Sequence, residues 1–315
     1  MPALWAALIA LLGTVARHGR YALIAGLLAG LALPNLAMAL RPWLSELVLV
    51  LLFLTAFRIG LKQATGGLAD LRGSLGLALV YQLALPFGAL LLLRLAGWAE
   101  TAQATALLLM LAAPPVTGGP NLAILTGGPP EPAFRLLILG TALLPLTVMP
   151  LLWAAPGLGD AQAAFVAALK LLGAIWITVA LAFGLRARTL PRPSARATAA
   201  LDGLTAIALA VIVVGLMSAL RPALAADPLR VLGWLTFALA ANLGLQTLTF
   251  LIFRHKGAEA IPRAITAGNR NVALFLVALP VTGNEAFLIF LGCYQIPMYL
   301  TPILMRPLYA TAKRA

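Results

Sequence analysis

A single arginine lies in the middle of a long apolar segment of the chain. Arg270 falls within the stretch Ala258–Pro280, next to Gly268, Asn269 and Asn271. A guanidinium near the centre of a membrane-spanning helix costs roughly 3 kcal/mol or more, so it must face protein, water or a ligand. Glycine and asparagine favour an interruption of the helix at this point. A broken helix that carries a buried charge is typical of a transporter's binding site.

A second apolar segment is also expected to be broken. The run Ala113–Ala123 contains three prolines, which remove backbone donors, and the pair Gly118 and Gly119, which permits unwinding. Both segments place an asparagine, an aliphatic residue and an alanine near mid-span, as Asn121–Ala123 and Asn271–Ala273. The equivalent position of this short pattern in the two halves of the chain indicates an internal repeat.

The chemistry of two broken helices depends on how they meet. Unwound backbone at membrane depth needs partners inside the protein, and two crossing helices can satisfy each other's free groups. The positive N-terminal ends of half-helices, together with Arg270, would make such a crossing electropositive. We therefore expect it to suit the carboxylate, sulfonate or phosphate of a small organic anion.

The composition indicates a membrane protein of many helices. Of 315 residues 62% are hydrophobic and only 10% are charged, which a soluble domain of this size does not show. The apolar residues run continuously rather than alternating, which excludes a β-barrel. The net charge of +13 comes from basic residues in short loops, so membrane topology explains it better than nucleic-acid binding. The single cysteine, Cys293, excludes an intrachain disulfide and a multi-cysteine metal site.

Ten membrane-spanning helices are predicted, preceded by an interfacial or partly inserted segment, Met1–Thr14. The predicted spans are Tyr21–Ala39, Pro42–Gly60, Ser74–Ala96, Thr101–Thr126, Pro132–Ala154, Gln162–Phe183, Thr198–Leu220, Leu229–Phe253, Ala258–Val281 and Asn284–Leu308.

The loops between these spans predict an orientation. With a cytoplasmic N-terminus, sixteen of the 22 Lys and Arg residues lie on the cytoplasmic side, as the positive-inside rule requires. Both termini are then cytoplasmic, and we expect the protein in the cell inner membrane. Five helices per half insert the halves in opposite directions, so residues 1–157 and 158–315 are predicted to form two inverted repeats.

The order of several motifs resembles the bile acid:sodium symporter family over nearly the whole chain. The matching residues are Leu52-Phe53-Leu54, Gly60-Leu61, Tyr81 to Pro86, Ala112 to Asn121, Leu144-Pro145, Met149-Pro150, Gly268 and Asn271. The resemblance implies ten helices in two inverted repeats, with the fourth and ninth discontinuous and crossing between a panel domain and a core domain. It also implies substrate binding beside that crossing.

The chain departs from the family where the family binds sodium. Thr266 stands at the family's acidic position, Arg270 at a glutamine ligand and Pro120 at a serine, while Phe134 and Ile138 fall near hydroxyl ligands. Gln82, Asn121 and Asn271 are the polar residues that remain. A hard cation needs several oxygen ligands, and a fixed positive charge opposes its binding. We therefore expect the family's usual sodium sites to be absent, so that sodium is disfavoured as a bound ion, and we expect no other cofactor and no metal.

Arg270 has two candidate roles. It either replaces the sodium ion, donating to carbonyls around Thr117–Pro120 and to Gln82, or it binds the substrate directly. The candidate substrate and ion site comprises Gln82, Thr117, Gly118, Gly119, Pro120, Asn121, Thr266, Gly268, Asn269, Arg270 and Asn271. Asn242, Gln246, Tyr294 and Gln295 form a second tier that either lines the cavity or bridges helices.

Three further ionisable residues lie within or near predicted spans. All three could carry protons, but Glu46 and Asp202 are close to helix ends, where snorkelling or a favourable helix dipole is the preferred explanation of an acid. Lys170 lies deeper and could pair with either acid or carry a coupling proton.

The predicted function is secondary active transport of a small organic anion by alternating access. A carrier closer to the auxin-efflux or arsenite-efflux relatives is one alternative. A membrane sensor or structural protein that keeps the fold without transport is another. An intramembrane enzyme is disfavoured because no acid–base pair or set of metal ligands converges.

Overall fold

The computed structural model describes residues 2–66, 71–155, 161–279 and 284–313, and within them the chain folds into helices joined by turns. The α-helices are α1 (Pro2–Arg17), α2 (Gly19–Ala32), α3 (Pro34–Leu40), α4 (Leu44–Ile59), α5 (Leu61–Gly66), α6 (Leu71–Leu79), α7 (Leu85–Leu95), α8 (Ala102–Ala112), α9 (Gly119–Thr126), α10 (Glu131–Ala154), α11 (Ala161–Thr189), α12 (Ala195–Ala226), α13 (Pro228–Phe253), α14 (Ala260–Gly268), α15 (Glu285–Leu304) and α16 (Arg306–Tyr309). A π-helix spans Val80–Ala84, and 3₁₀ segments span Arg41–Trp43, Arg254–Glu259, Val272–Val277 and Ala310–Lys313.

Seven helical stretches in the described part of the chain are long and apolar enough to cross a membrane. They are Pro34–Ile59, Arg72–Leu95, Glu131–Ala154, Phe165–Thr189, Ala195–Ala226, Pro228–Gly268 and Glu285–Leu304. Their outer surfaces expose many leucines, isoleucines and tryptophans, which suits contact with lipid. The prediction of an all-α, multi-pass membrane protein is confirmed at this level.

The N-terminal segment packs along α12 instead of lying apart from the other helices. Residues of α1 and α2 meet α12 in the same chain order, so the helices run parallel. A Cβ on Gly203 would lie 1.9 Å from the Leu12 carbonyl oxygen, and one on Gly26 would lie 2.7 Å from the Ala210 carbonyl oxygen. Glycine is therefore required for this close approach.

Several predicted boundaries differ from the structure. The first predicted span continues to Ala39, but α2 ends at Ala32 and Pro34 starts α3, because proline favours the first turn of a new helix. The helices α11 and α12 both extend beyond their predicted ends, to Thr189 and Ala226. The predicted boundary between the repeats, 157/158, and residues 280 and 281 of the ninth predicted span lie outside the described residues.

Arginines join helix ends at the two ends of the bundle. At the end where α4 begins, the Arg41 end, Arg41 pairs with Glu285 of α15. At the end where α4 stops, the Arg58 end, Arg58 pairs with Asp202 of α12 at 2.8 Å. There Arg186 also donates to the backbone carbonyls of Phe57 and Arg58. These contacts tie α4 to its neighbours at both ends.

Candidate functional site

The two predicted interruptions are both present, and their backbones pair. Ala113 leaves α8 in an extended conformation (φ −61°, ψ 149°), as expected for a residue before proline. Asn269 leaves α14 similarly (φ −98°, ψ 98°). The N–H of Val116 donates to the Asn269 carbonyl at 2.9 Å, and the N–H of Asn271 donates to the Pro114 carbonyl at 2.8 Å. This antiparallel bridge satisfies unwound backbone inside the bundle.

Arg270 joins the C-terminal ends of two helices. Its Nε donates to the Ala267 carbonyl of α14 at 2.7 Å, and its Nη1 donates to the Ala113 carbonyl at the end of α8 at 3.0 Å. Helix C-termini carry unsatisfied carbonyls and partial negative charge, so a cation is stabilised there. The side chain is buried, with 1% exposed, and thus acts as a common cap for α8 and α14.

The partners of this guanidinium differ from those expected. Neither the carbonyls of Thr117–Pro120 nor the side chain of Gln82 accepts from Arg270. The reason is the direction of the helix dipoles at the two breaks. Thr117 to Pro120 lead into the N-terminal end of α9, which carries partial positive charge, whereas Ala113 and Ala267 mark negative ends. Each break therefore presents one positive and one negative helix end, and Arg270 occupies the negative side.

An aromatic ring covers the guanidinium. The centroid of the Tyr81 ring lies 4.8 Å from Cζ of Arg270, a favourable cation–π distance, and the Tyr81 hydroxyl donates to the Arg263 carbonyl at 2.9 Å. Tyr81 lies in the π-helix Val80–Ala84. Pro86 has no N–H for the Gln82 carbonyl, which explains the local widening of the helix. The role of Tyr81 was not predicted, although Pro86 is a visible cue in the sequence.

Two polar atoms near this junction lack partners. Gln82 Nε2 donates to the Gly140 carbonyl at 2.9 Å, but Gln82 Oε1 is buried without a hydrogen bond. Arg270 Nη2 is likewise buried and unpaired. Gly140 itself packs against Pro115. The amide of Gln82 therefore lies beside the break after α8, where the Ala113 carbonyl accepts from Arg270. Buried unpaired groups of this kind require an explanation such as water or a ligand.

A chain of buried amides and hydroxyls holds the break after α14 in place. Asn269 Oδ1 accepts from Asn242 Nδ2 and from the Thr301 hydroxyl, both at 3.2 Å. Gln246 Nε2 donates to Asn242 Oδ1 at 2.6 Å, and Tyr309 donates to Gln246 Oε1 at 2.8 Å. For Asn242 and Gln246 the structure favours the bridging role over cavity lining. Thr301 and Tyr309 were missed, because isolated hydroxyls in apolar helices give no distinctive pattern.

Gly268 and Tyr294 complete this side of the junction. The Tyr294 hydroxyl donates to the Gly268 carbonyl and accepts from the backbone N–H of Arg270. A Cβ on Gly268 would lie 2.3 Å from the Asn242 carbonyl oxygen, so glycine is required. Thr266 is buried and donates within its own helix, to the carbonyls of Pro262 and Arg263. Gln295 instead bonds Leu291 and Tyr299 along α15.

The remaining candidates form an accessible edge of the junction. Asn121 is exposed, and Thr117, Gly118, Pro120 and Asn271 are partly exposed, while Gly119 is buried. Among the described residues, the side chains of Thr117, Asn121 and Asn271 have no hydrogen-bond partner. They lie at the starts of α9 and of the 3₁₀ segment Val272–Val277, where the first backbone N–H groups have no acceptor within the helix. Polar groups are thus available for a ligand here.

The other ionisable candidates lie away from the junction. Asp202 pairs with Arg58, not with Lys170, while Glu46 and Lys170 are exposed. The described residues contain no group of three His, Cys, Asp or Glu side chains that could hold a metal ion. Cys293 is buried.

No protein-family model matches the chain, and no curated protein matches its sequence. The assignment of a role to the junction therefore depends on its geometry.

Proposed function

We propose that the chain is a secondary transporter that moves a small organic anion across the inner membrane by alternating access. In this proposal it has ten membrane crossings in two inverted repeats, like the bile acid:sodium symporter family. The helices α1–α4, α11 and α12 would form the panel domain, and α6–α10 and α13–α15 the core domain. The observation that carries the proposal is the backbone pairing of two broken helices around a buried arginine.

The site chemistry supports an anionic substrate. The exposed Asn121 and the partly exposed Thr117 and Asn271 lie beside the positive N-terminal ends of helical segments. None of the seven carboxylates in the described residues is buried, so none neutralises Arg270. Amide and hydroxyl donors next to an unneutralised cation favour carboxylate, sulfonate or phosphate.

The position of Arg270 also supports transport without sodium. Its guanidinium bonds carbonyls from both breaks, which is the task that a bound cation would perform at a junction of unwound helices. A second cation beside it would be repelled. Arg270 Nη2 has no hydrogen-bond partner. The proposal therefore includes a direct contact between this atom and the substrate.

The contacts between the proposed panel and core domains described next lie at the Arg41 end of the bundle. At the Arg41 end, Arg41 pairs with Glu285, and the Ser45 hydroxyl donates to the Leu276 carbonyl at 2.6 Å. The segment Val272–Val277 packs there against α4 and α11, whereas α14 packs against α13, α9 and α10. We infer a conformation closed at the Arg41 end and open towards the Arg58 end, which positive-inside topology makes cytoplasmic.

The experiment is transport into liposomes. A thermal-shift screen of mono- and dicarboxylates, sulfonates and phosphate esters first selects the most stabilising acid, and uptake of that acid is then measured with purified protein. We expect saturable uptake that changes less than about twofold when choline replaces sodium. The variants Asn121→Ala and Asn271→Ala are expected to raise KM with little effect on thermal stability.

The outcomes separate the parts of the proposal. Strong dependence on sodium would refute the replacement of sodium by Arg270 but leave transport intact. Acids that stabilise the protein without being transported would favour a sensor. The matched control is Glu100→Gln, an exposed residue beyond α7, which should leave KM unchanged.

A further inference from the structure

A cavity of about 260 Å³ lies between α3 and α12, away from the paired breaks. Its lining includes Pro34 and Met38 from α3 and Met217, Ser218, Arg221 and Pro222 from α12. The lining contains one cation and no acid. It therefore differs in position from the junction proposed to hold the transported anion, since none of the residues of that junction lines it.

Two groups of Ser218 lack their usual partners. Its side chain is 97% buried, with 3% exposed, and its Oγ has no hydrogen bond. Pro222 lies four residues later inside α12 and has no N–H, so it cannot donate to the Ser218 carbonyl. Ser218, which lines the cavity, thus has a buried hydroxyl without a partner and a carbonyl without its usual helical donor.

Arg221 supplies the charge. Its Nη1 donates to the Leu31 carbonyl at 3.2 Å and to the Ala32 carbonyl at 3.5 Å, where α2 ends. Its Nε and Nη2 donate to none of the described residues. A guanidinium held by one nitrogen and free at the others is arranged to bind phosphate.

The surroundings of the cavity are apolar and face outward. Leu33, Met38 and Leu224 are each about half exposed, and in a membrane such side chains contact acyl chains. A ligand with a charged head and long apolar tails fits this combination better than a small soluble anion.

We propose that this cavity binds the headgroup of an anionic phospholipid that carries hydroxyl groups, with phosphatidylglycerol as the representative. The phosphate accepts from Arg221 and from the Ser218 hydroxyl, and a glycerol hydroxyl donates to the Ser218 carbonyl. The acyl chains lie along Leu33, Met38 and Leu224. A zwitterionic headgroup is disfavoured, because no carboxylate lines the cavity to hold its ammonium.

The test is native mass spectrometry of the full chain with phosphatidylglycerol or phosphatidylethanolamine of identical acyl chains. We expect about fivefold tighter binding of the first phosphatidylglycerol, the size of effect that one basic residue has on an anionic lipid. Arg221→Gln should remove this preference, and Ser218→Ala should reduce it. Pro222→Ala should also reduce it, because it restores an N–H for the Ser218 carbonyl.

The matched control is Arg230→Gln, an exposed arginine outside the cavity, which should keep the preference. Equal binding of the two lipids, or a preference that survives both Arg221→Gln and Ser218→Ala, would overturn the proposal. Soluble glycerol 3-phosphate provides a further arm. If glycerol 3-phosphate stabilises the protein as strongly as the lipid does, the cavity binds a free phosphate ester and the assignment of a lipid is wrong.

Discussion

Arg270 Nη1 donates to the carbonyl of Ala113 at 3.0 Å, although the two residues lie 157 positions apart in the chain. The same guanidinium donates through Nε to the carbonyl of Ala267, in the last turn of α14. One side chain therefore terminates a helix in each half of the sequence. The buried cation is placed where two helices end with unsatisfied carbonyls, which lowers the cost of burying it.

Replacing this arginine should destabilise the fold. Arg270→Gln removes two hydrogen bonds from a charged donor, each worth about 1.5–3 kcal/mol, and leaves buried carbonyls unpaired. Arg270→Lys keeps the charge but cannot reach both carbonyls in the same fork geometry, so it should rescue only part of the loss. Thermal unfolding in detergent measures both variants. Exposed Arg188 provides the control, and an Arg270→Gln protein as stable as Arg188→Gln would contradict the capping role.

A methyl group at Gly268 should be poorly tolerated. Its Cβ would lie 2.3 Å from the Asn242 carbonyl oxygen and 2.5 Å from Gln246 Cγ, so Gly268→Ala should cost roughly 1–3 kcal/mol through forced backbone shifts. Gly244→Ala is the matched control, because a Cβ there meets nothing within 4 Å. That substitution should be neutral or slightly stabilising in a helix. Similar melting temperatures for the two variants would show that α13 and α14 are not in close contact.

The buried amide network should behave as a unit. Thr301→Val and Asn242→Leu each remove a donor to Asn269 Oδ1, and interhelical hydrogen bonds in membranes are worth about 0.6–1.7 kcal/mol. The double variant should lose less stability than the sum of the single variants, because the network is already broken. Additive losses would argue against coupling. Thr205→Val, which removes only a bond within its own helix, should change stability by less than about 0.5 kcal/mol.

The ion pair at the Arg41 end should favour closure of that end. Leu276 is buried beneath α4, so Leu276→Cys in a Cys293→Ala background reports opening through its rate of reaction with a maleimide in nanodiscs. Glu285→Lys should accelerate labelling about threefold to fivefold, since partly exposed ion pairs contribute up to about 1 kcal/mol.

The exchanged pair Arg41→Glu/Glu285→Arg tests whether charge is the cause. It should restore slow labelling, whereas Glu100→Lys, at an exposed position, should have no effect. An unchanged rate in Glu285→Lys would mean that the pair does not hold this end closed.

The sequence predicted the two interruptions and the burial of Arg270 because prolines, glycines and a charge in apolar segments are strong local signals. It did not predict the arginine's acceptors, since Ala113 and Ala267 contribute backbone carbonyls and any residue type has one. Tyr81 was missed as a partner because its approach depends on the widened turn before Pro86. The packing of α1 along α12 was missed because it depends on glycines from distant parts of the chain, which can be matched only in three dimensions.

The covalent attachment of the Arg270 charge has a consequence for the junction between the broken helices. A free ion leaves its binding site when the surrounding solution is diluted, but a side chain cannot diffuse away. Because the charge is part of the polypeptide, every folded molecule contains one, and the junction should remain assembled in a medium from which all salts have been removed.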